Sequence, residues 1–171
     1  MNTAAHTPTL VSTFDAILAA TLAACRRYYG DRLIALAVFG SVGRGTMRPN
    51  SDLDLLLVVQ PLADGRLARV EEFAAVERAL AGALDDARRR GVETELSPVF
   101  RTPAELAGGS PLLLDMTEDA RLLHDPAGVL ADALQALRER LAALGARRIR
   151  RGNAWHWDLK PDYRPGDVFS L

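Results

Sequence analysis

Two carboxylates one residue apart, Asp52 and Asp54, open the apolar run Leu55, Leu56, Leu57, Val58 and Val59. Branched side chains and a short length favour a buried strand here. Side chains at i and i+2 share a face of a strand, so both aspartates turn the same way while Leu53 and Leu55 anchor the opposite face. Paired carboxylates of this kind offer hard oxygen donors suited to Mg²⁺ or Mn²⁺. Two like charges at the mouth of a hydrophobic strand are costly unless neutralised, and no basic residue is nearer in sequence than Arg48. A bound cation is the simplest remedy. Solvated aspartates at a strand end are the plainer account of an isolated D-x-D, and the segment just upstream tells against it.

That segment begins where Leu36, Ala37, Val38 and Phe39 run into Gly40-Ser41-Val42-Gly43-Arg44-Gly45, which is too rich in glycine to continue as a strand. A tight turn opening a short helix is predicted. It would expose backbone N–H groups, and Ser41 adds a hydroxyl, so the tail of a triphosphate could be held beside the metal. Gly40, Gly45 and Thr46 imitate part of a P-loop, but the lysine that neutralises β/γ-phosphate is missing. The three glycines also miss the dinucleotide-binding spacing.

Together these residues resemble the minimal nucleotidyltransferases of the DNA polymerase β superfamily, whose mark is G-S, about ten residues, then D-x-D. Ten residues, Val42 to Ser51, separate Ser41 from Asp52, and both Arg44-Gly45 and the S-D-L-D-L of Ser51 to Leu55 fit the same pattern. The resemblance implies transfer of a nucleoside monophosphate from ATP or another NTP to an acceptor hydroxyl, with release of pyrophosphate under two-metal catalysis. It assigns metal binding and catalysis to Asp52 and Asp54, and nucleotide binding to Gly40, Ser41, Arg44 and Ser51. It also implies a third carboxylate on the strand after the long helix. Glu93 and Glu95 lie there on one face; Glu95 is preferred because it adjoins the more apolar half of the strand, with Glu93 as the alternative. Family members offer Asp at this point more often than Glu.

The elements that must position these groups follow from periodicity. A helix is predicted from about Ser12 to Tyr29, strands at Leu33 to Phe39 and Asp52 to Gln60, and a long helix from about Arg66 to Arg90, stopped by Gly91. A third strand falls within Val92 to Phe100. Thr102-Pro103-Ala104-Glu105 reads as an N-cap and first turn, Pro111 opens a short helix, Ala120 to His124 is an edge strand, and Ala127 to Leu144 is amphipathic. The expected fold is α/β (α+β): a small mixed β-sheet covered by helices, which the resemblance makes polymerase β-like. One domain is expected over 1–146, with its core at about 12–125 and a C-terminal helix at about 127–144.

From Arg147 to Leu171 the chain changes character. Arg147, Arg148, Arg150 and Arg151 precede Trp155-His156-Trp157, with Pro161 and Pro165 beyond, which predicts an extended or hairpin tail and not a separate domain. Such a tail can bind a partner, or fold its tryptophans back onto the domain, the blander account. Arg151 and His156 match the R-x4-H of HEPN ribonucleases, yet Gly152 and the nearby prolines oppose the helix that motif requires.

With 171 residues, 49% of them apolar, and a formal charge of −1, this is an ordinary globular composition without a strong field for nucleic acid. Cys25, the sole cysteine, falls on an apolar helix face with Phe14, Ile17 and Leu18 and reads as a buried thiol. His6 is expected in a disordered leader and His124 near a strand end, with no zinc site. No signal peptide or membrane span is evident, so the cytoplasm is the expected location. The shortness of the chain beyond its core argues against a large nucleic-acid acceptor, and self-association is left open. The leading expectation is an antitoxin that modifies a hydroxyl, a tyrosine by preference, on a HEPN-type toxin. The alternatives are an aminoglycoside-type small-molecule nucleotidyltransferase and an antitoxin that acts by binding its partner with little catalysis.

Overall fold

A computed structural model describes residues 9–108, 110–152, 154–164 and 168. His6, expected in a leader, lies outside them. Helix α1 (Leu10–Tyr29) begins at Thr9, whose hydroxyl accepts from Ser12 N, and a short 3₁₀ turn (Gly30–Arg32) leads into β1 (Leu33–Val38). The glycine-rich segment forms a single helical turn, α2 (Gly40–Gly43), before β2 (Leu53–Val59) and the long α3 (Arg66–Arg89). Next come β3 (Leu96–Arg101), α4 (Pro103–Ala107), α5 (Pro111–Asp119), β4 (Arg121–His124) and α6 (Val129–Ala143). Two short strands, β5 (Arg147–Arg151) and β6 (Ala154–Asp158), close the described chain as a hairpin.

Four strands form one mixed sheet in the order β3-β2-β1-β4, with β2 parallel to β3 and β1 antiparallel to both β2 and β4. The alternation of side chains along β2 divides the protein into two cores. Leu53, Leu55, Leu57 and Val59 meet Phe14, Ile17 and Leu18 of α1 and Phe73, Val76 and Leu80 of α3. Leu56 and Val58 meet Leu106 of α4, Leu113 and Met116 of α5, and Leu130 and Leu134 of α6. Asp54 is in step with Leu56 and Val58 and so belongs to the second face.

The β3 edge of the sheet is closed to further pairing. Glu95 O accepts from Leu53 N at 2.8 Å, so the backbone of Glu95, and by alternation that of Ser97, turns toward β2, while Leu96, Pro98 and Phe100 turn theirs outward. Pro98 has no N–H to offer at that edge, and the Phe100 carbonyl accepts from Arg101 Nη1 at 2.9 Å. The edge is thereby blunted against pairing with another strand.

Just beyond β3, Thr102 caps α4 in a reciprocal capping box: its hydroxyl accepts from Glu105 N, and Glu105 Oε2 accepts from Thr102 N. Arg69 of α3 grips the same Glu105 through two nitrogens at 2.9 and 2.7 Å. Replacing Thr102 by Ala is expected to lower stability by about 1 kcal/mol in urea unfolding, the usual cost of a lost N-cap. Cys25 is fully buried, and that burial pushes its thiol up to about 12. No helix among the described residues is long and apolar enough to cross a membrane.

Candidate active site

Three segments bring the site together. Phe39 N donates to Asp54 O at 3.0 Å, which extends the β1–β2 pairing and sets Gly40 directly against the Asp54 side chain. A Cβ on Gly40 would sit 2.2 Å from Asp54 Oδ2, and Gly40 has φ +65°, a conformation that only glycine adopts readily. The first turn of α2 therefore abuts the second aspartate with no room for a side chain. Gly43, one turn on, is pressed against backbone, 2.3 Å from Asp119 O and 3.0 Å from Val38 O by the same measure.

Ser51 shapes the entry to β2. Its hydroxyl accepts from Arg48 N at 2.8 Å, and its own N–H donates to Arg48 O at 3.0 Å, making a closed turn that delivers Asp52 to the strand mouth. Asp52 is exposed and Asp54 half-buried. Burial, followed by the negative charge of Asp52, raises the Asp54 carboxyl above the ordinary carboxylate range, against a smaller opposing pull from the Arg44 guanidinium. The ionised form of Asp54 is therefore disfavoured by its surroundings, and a cation would relieve it.

Sequence proximity had left Arg48 as the nearest base, but folding supplies Arg44. Arg44 stands at the end of α2, and its Nη1 donates to Asp119 Oδ2. Asp119, at the end of α5, has a side chain only 3% exposed. It also receives Arg148 of β5 in a bidentate grip, Nη1 to Oδ1 at 2.8 Å and Nη2 to Oδ2 at 2.9 Å. Burial pushes the Asp119 carboxyl up, but the hydrogen bonds from Arg148 and Arg44 and their charges prevail and hold it below the usual range.

Glu95 lies one residue before β3, so the strand starts later than the sequence suggested. Val92 and Thr94 are buried while Glu93 and Glu95 are exposed; the register sets Ser97 beside Asp54, and Glu95 O accepts from Leu53 N at the mouth of β2. Among the described residues no three acidic, histidine or cysteine groups converge as a metal-holding cluster. The structure thus joins Gly40, Ser41, Arg44, Asp52 and Asp54 around one corner of the sheet, and leaves Glu93 and Glu95 on its rim. Ser97 also lines a cleft of about 760 Å³ between β3 and α3, with Arg66, Arg69 and Arg101 on its walls.

The C-terminal hairpin packs back on α5. Trp157 Nε1 donates to Asp115 Oδ1 at 3.0 Å, Arg148 also reaches Asp115 at 3.3 Å, and the Arg148 guanidinium lies 4.9 Å from the Trp155 ring centre. Arg151 and His156 sit on its two opposed strands and not along a helix, so the R-x4-H match has no helical setting. The sequence reading missed Asp119 and the specific role of Arg148. Nothing local separates Asp119 from its neighbour Glu118, since only the tertiary fold buries one and exposes the other.

A fold with a mixed sheet, a Gly-Ser turn and paired aspartates on the adjoining strand defines a class, and the sequence comparisons agree with it. Residues 19–123 match the model of the nucleotidyltransferase domain. The chain belongs to that family and is a nucleotidyltransferase. A relative from Methanocaldococcus jannaschii, named provisionally as a protein adenylyltransferase, is 30% identical over 111 residues, covering 64% of this chain and 70% of its own. Among solved structures, a toxin-antitoxin complex with AMP-PNP matches at 20% identity and a TM-score of 0.47, over 75% of this chain and 92% of that one. A mutant of the toxin-antitoxin pair MntA-HpeT matches at 17% identity and a TM-score of 0.45, over the same shares. Neither of these two likenesses is close enough to carry an inference, and the family assignment rests on the sequence matches.

Proposed function

We propose that this nucleotidyltransferase moves AMP from ATP to a hydroxyl on a partner protein, and that the partner is a HEPN-type toxin modified on tyrosine. The observation that carries the reading is the Gly40 contact with Asp54, which sets the Gly-Ser turn directly against the second carboxylate of the pair. A site built this way can hold the triphosphate and the charge that accompanies it together. The relative named as a protein adenylyltransferase supports a protein acceptor. An ATP-dependent control of a toxin would act in the cytoplasm, the location expected for this chain.

Asp52 and Asp54 would hold the divalent cation, Mg²⁺ or Mn²⁺, with Glu95 as the third carboxylate and Glu93 as the alternative. The fit is a matter of charge: a half-buried aspartate pushed up by burial and by its neighbour is the group that a cation would relieve. When bound, such a cation supplies positive charge against the triphosphate and the departing pyrophosphate. The N–H groups leading α2 at Gly40 and Ser41 would hold the phosphates of the leaving group, with Arg44 adding its charge, while Ser51 keeps the entry turn in place. In the reaction the acceptor oxygen bonds to the α-phosphorus, the bond to the β-phosphate bridging oxygen breaks, pyrophosphate leaves, and the hydroxyl proton passes to water.

The test is transfer of label from [α-³²P]ATP with Mg²⁺ to a co-expressed HEPN-type partner, comparing wild type with Asp52→Ala and Asp54→Ala. Label on the partner that both substitutions remove is the expected result. Label on an aminoglycoside and none on protein would move the assignment to small-molecule transfer, and metal-independent or absent label would refute the reading. Glu95→Gln is expected to lower transfer by at least about tenfold and Glu93→Gln to lower it little. The reverse order would make Glu93 the third carboxylate.

A further inference from the structure

One buried carboxylate near the site carries more positive charge than it needs. Asp119 is bound on both oxygens by Arg148, and Arg44 makes a further bond to Oδ2, an oxygen already engaged. A bidentate guanidinium is sufficient for a buried carboxylate. The two arginines also differ in how firmly they are held. Arg148 has a side chain 13% exposed, ties to both Asp115 and Asp119, and lies against the Trp155 ring. Arg44 has a side chain 33% exposed and uses Nη1 on Asp119. It follows the Gly-Ser turn directly, and its charge is already felt at Asp54.

Resting on the reading that Arg44 meets the triphosphate, we propose that Arg148 is a positioning residue: it keeps Asp119 satisfied when Arg44 leaves it for the nucleotide. The physical reason is the cost of an orphaned buried charge. With Arg148 in place, Arg44 can swing from Asp119 toward phosphate and the carboxylate stays doubly hydrogen-bonded. Without Arg148, the same movement strands a buried anion, so Arg44 is held back and nucleotide binds more weakly. Because Arg148 stands on β5, docking of the C-terminal hairpin sets the affinity of a site to which the hairpin contributes no direct ligand. The third tie of the hairpin, Trp157 to Asp115, serves docking alone and leaves the charge on Asp119 untouched.

A double-mutant cycle on the full chain separates this role from simple stapling, with Mg-ATP binding measured by titration calorimetry and KM and kcat measured in parallel. Arg148→Met is expected to weaken Mg-ATP by about tenfold or more and to raise KM in step, with a smaller effect on kcat. Asp119→Asn, which leaves no anion to strand, is expected to bind at least as tightly as wild type. Arg148→Met added to Asp119→Asn is then expected to cause no further loss. Equal losses from Arg148→Met in both backgrounds would show that Arg148 only holds the hairpin, and unchanged binding in the Arg148→Met single variant, with Asp119 still a carboxylate, would overturn the proposal directly. Trp157→Phe, which removes the bond to Asp115 and leaves the Arg148 grip on Asp119 in place, is expected to keep affinity near wild type; a loss as large as that of Arg148→Met would point to hairpin docking alone. Should Arg148→Met fail to fold, Arg148→Lys carries the same cycle, since an ammonium cannot reproduce the bidentate grip. If wild type binds no Mg-ATP, the functional reading falls and this proposal with it. If wild type binds and the cycle is additive, only this proposal falls.

Discussion

Replacing Asp54 by Asn is expected to abolish nucleotidyl transfer and, in the presence of a chelator, to make the protein more stable at neutral pH. The activity loss should reach roughly a thousandfold, equivalent to about 4 kcal/mol of transition-state stabilisation, because the variant keeps the shape of the site and loses half of its paired charge. The stability gain follows from the sign of the shift at Asp54. Burial and the neighbouring Asp52 raise its folded pKa, so the ionised form is less favoured in the folded chain than in the unfolded one. Above the raised value the charge subtracts from stability. As pH falls through it the carboxyl takes a proton, and below the unfolded value of about 4 the penalty is gone. The melting temperature of Asp54→Asn should thus exceed wild type by a few degrees at pH 7.5 and meet it near pH 3.5. Adding Mg²⁺ should raise the wild-type melting temperature and leave that of the variant in place. A variant less stable than wild type at neutral pH would mean that native partners already hold Asp54 as an anion, and the cation would lose its physical motive.

Gly40→Ala and Gly43→Ala should part company, although the two glycines belong to one helical turn. At Gly40 the obstacle to a Cβ is the carboxylate of Asp54, the end of a side chain that can rotate away. Adding the cost of φ +65° for alanine, about 1 to 2 kcal/mol, the fold should survive while Asp54 is displaced and transfer is lost. At Gly43 the obstacles are the carbonyl oxygens of Asp119 and Val38, which are main chain. Room there requires α2 to back away from α5 and β1 together, so the loss of stability should reach about 3 kcal/mol, the upper range for an overpacked interior. For a chain of this size that corresponds to a fall in melting temperature of roughly 10 °C. Calorimetry and label transfer on both variants check the contrast. Gly40→Ala with full activity would detach the Gly-Ser turn from the chemistry.

Much of this was legible from local pattern. The switch from an apolar run to G-S-V-G-R-G and back to D-L-D-L-L-L fixed β1, the α2 turn and β2, because strand periodicity and glycine punctuation act over a few residues. Thr102 and Pro103 announced the start of α4, and Ala120 to His124 read as the edge strand that the structure places next to β1. The third strand was drawn too early. Val92 and Thr94 alternate with Glu93 and Glu95 as a strand would, but they belong to the approach, and pairing with β2 is regular only from Leu96. The tail was open between partner binding and self-packing, and here Trp157 and Arg148 lie on α5 while Trp155 remains 46% exposed.

The Arg44-Asp119-Arg148 cluster was beyond the reach of local pattern for a simple reason. Its members come from residues separated by 75 and 29 positions, and each is one charge among many of its kind. Arg148 reads like Arg147 and Arg150 beside it. What distinguishes it is the strand register of the hairpin, which turns Arg148 and Trp157 to one side, and the end of α5, which buries Asp119 where they arrive.

The strand order has a consequence for how the protein breathes. β2 is paired along both sides, by β1 and β3, and is packed against helices above and below. Its amides are therefore expected to exchange with deuterated solvent only through global opening, whereas the two-stranded hairpin, outside the main sheet, should open on its own. Asp54 rides on the slowest element, with Asp52 at its mouth, and Arg148 on one of the fastest. Partial opening would thus leave the aspartates standing in order while the guanidinium guarding Asp119 comes and goes.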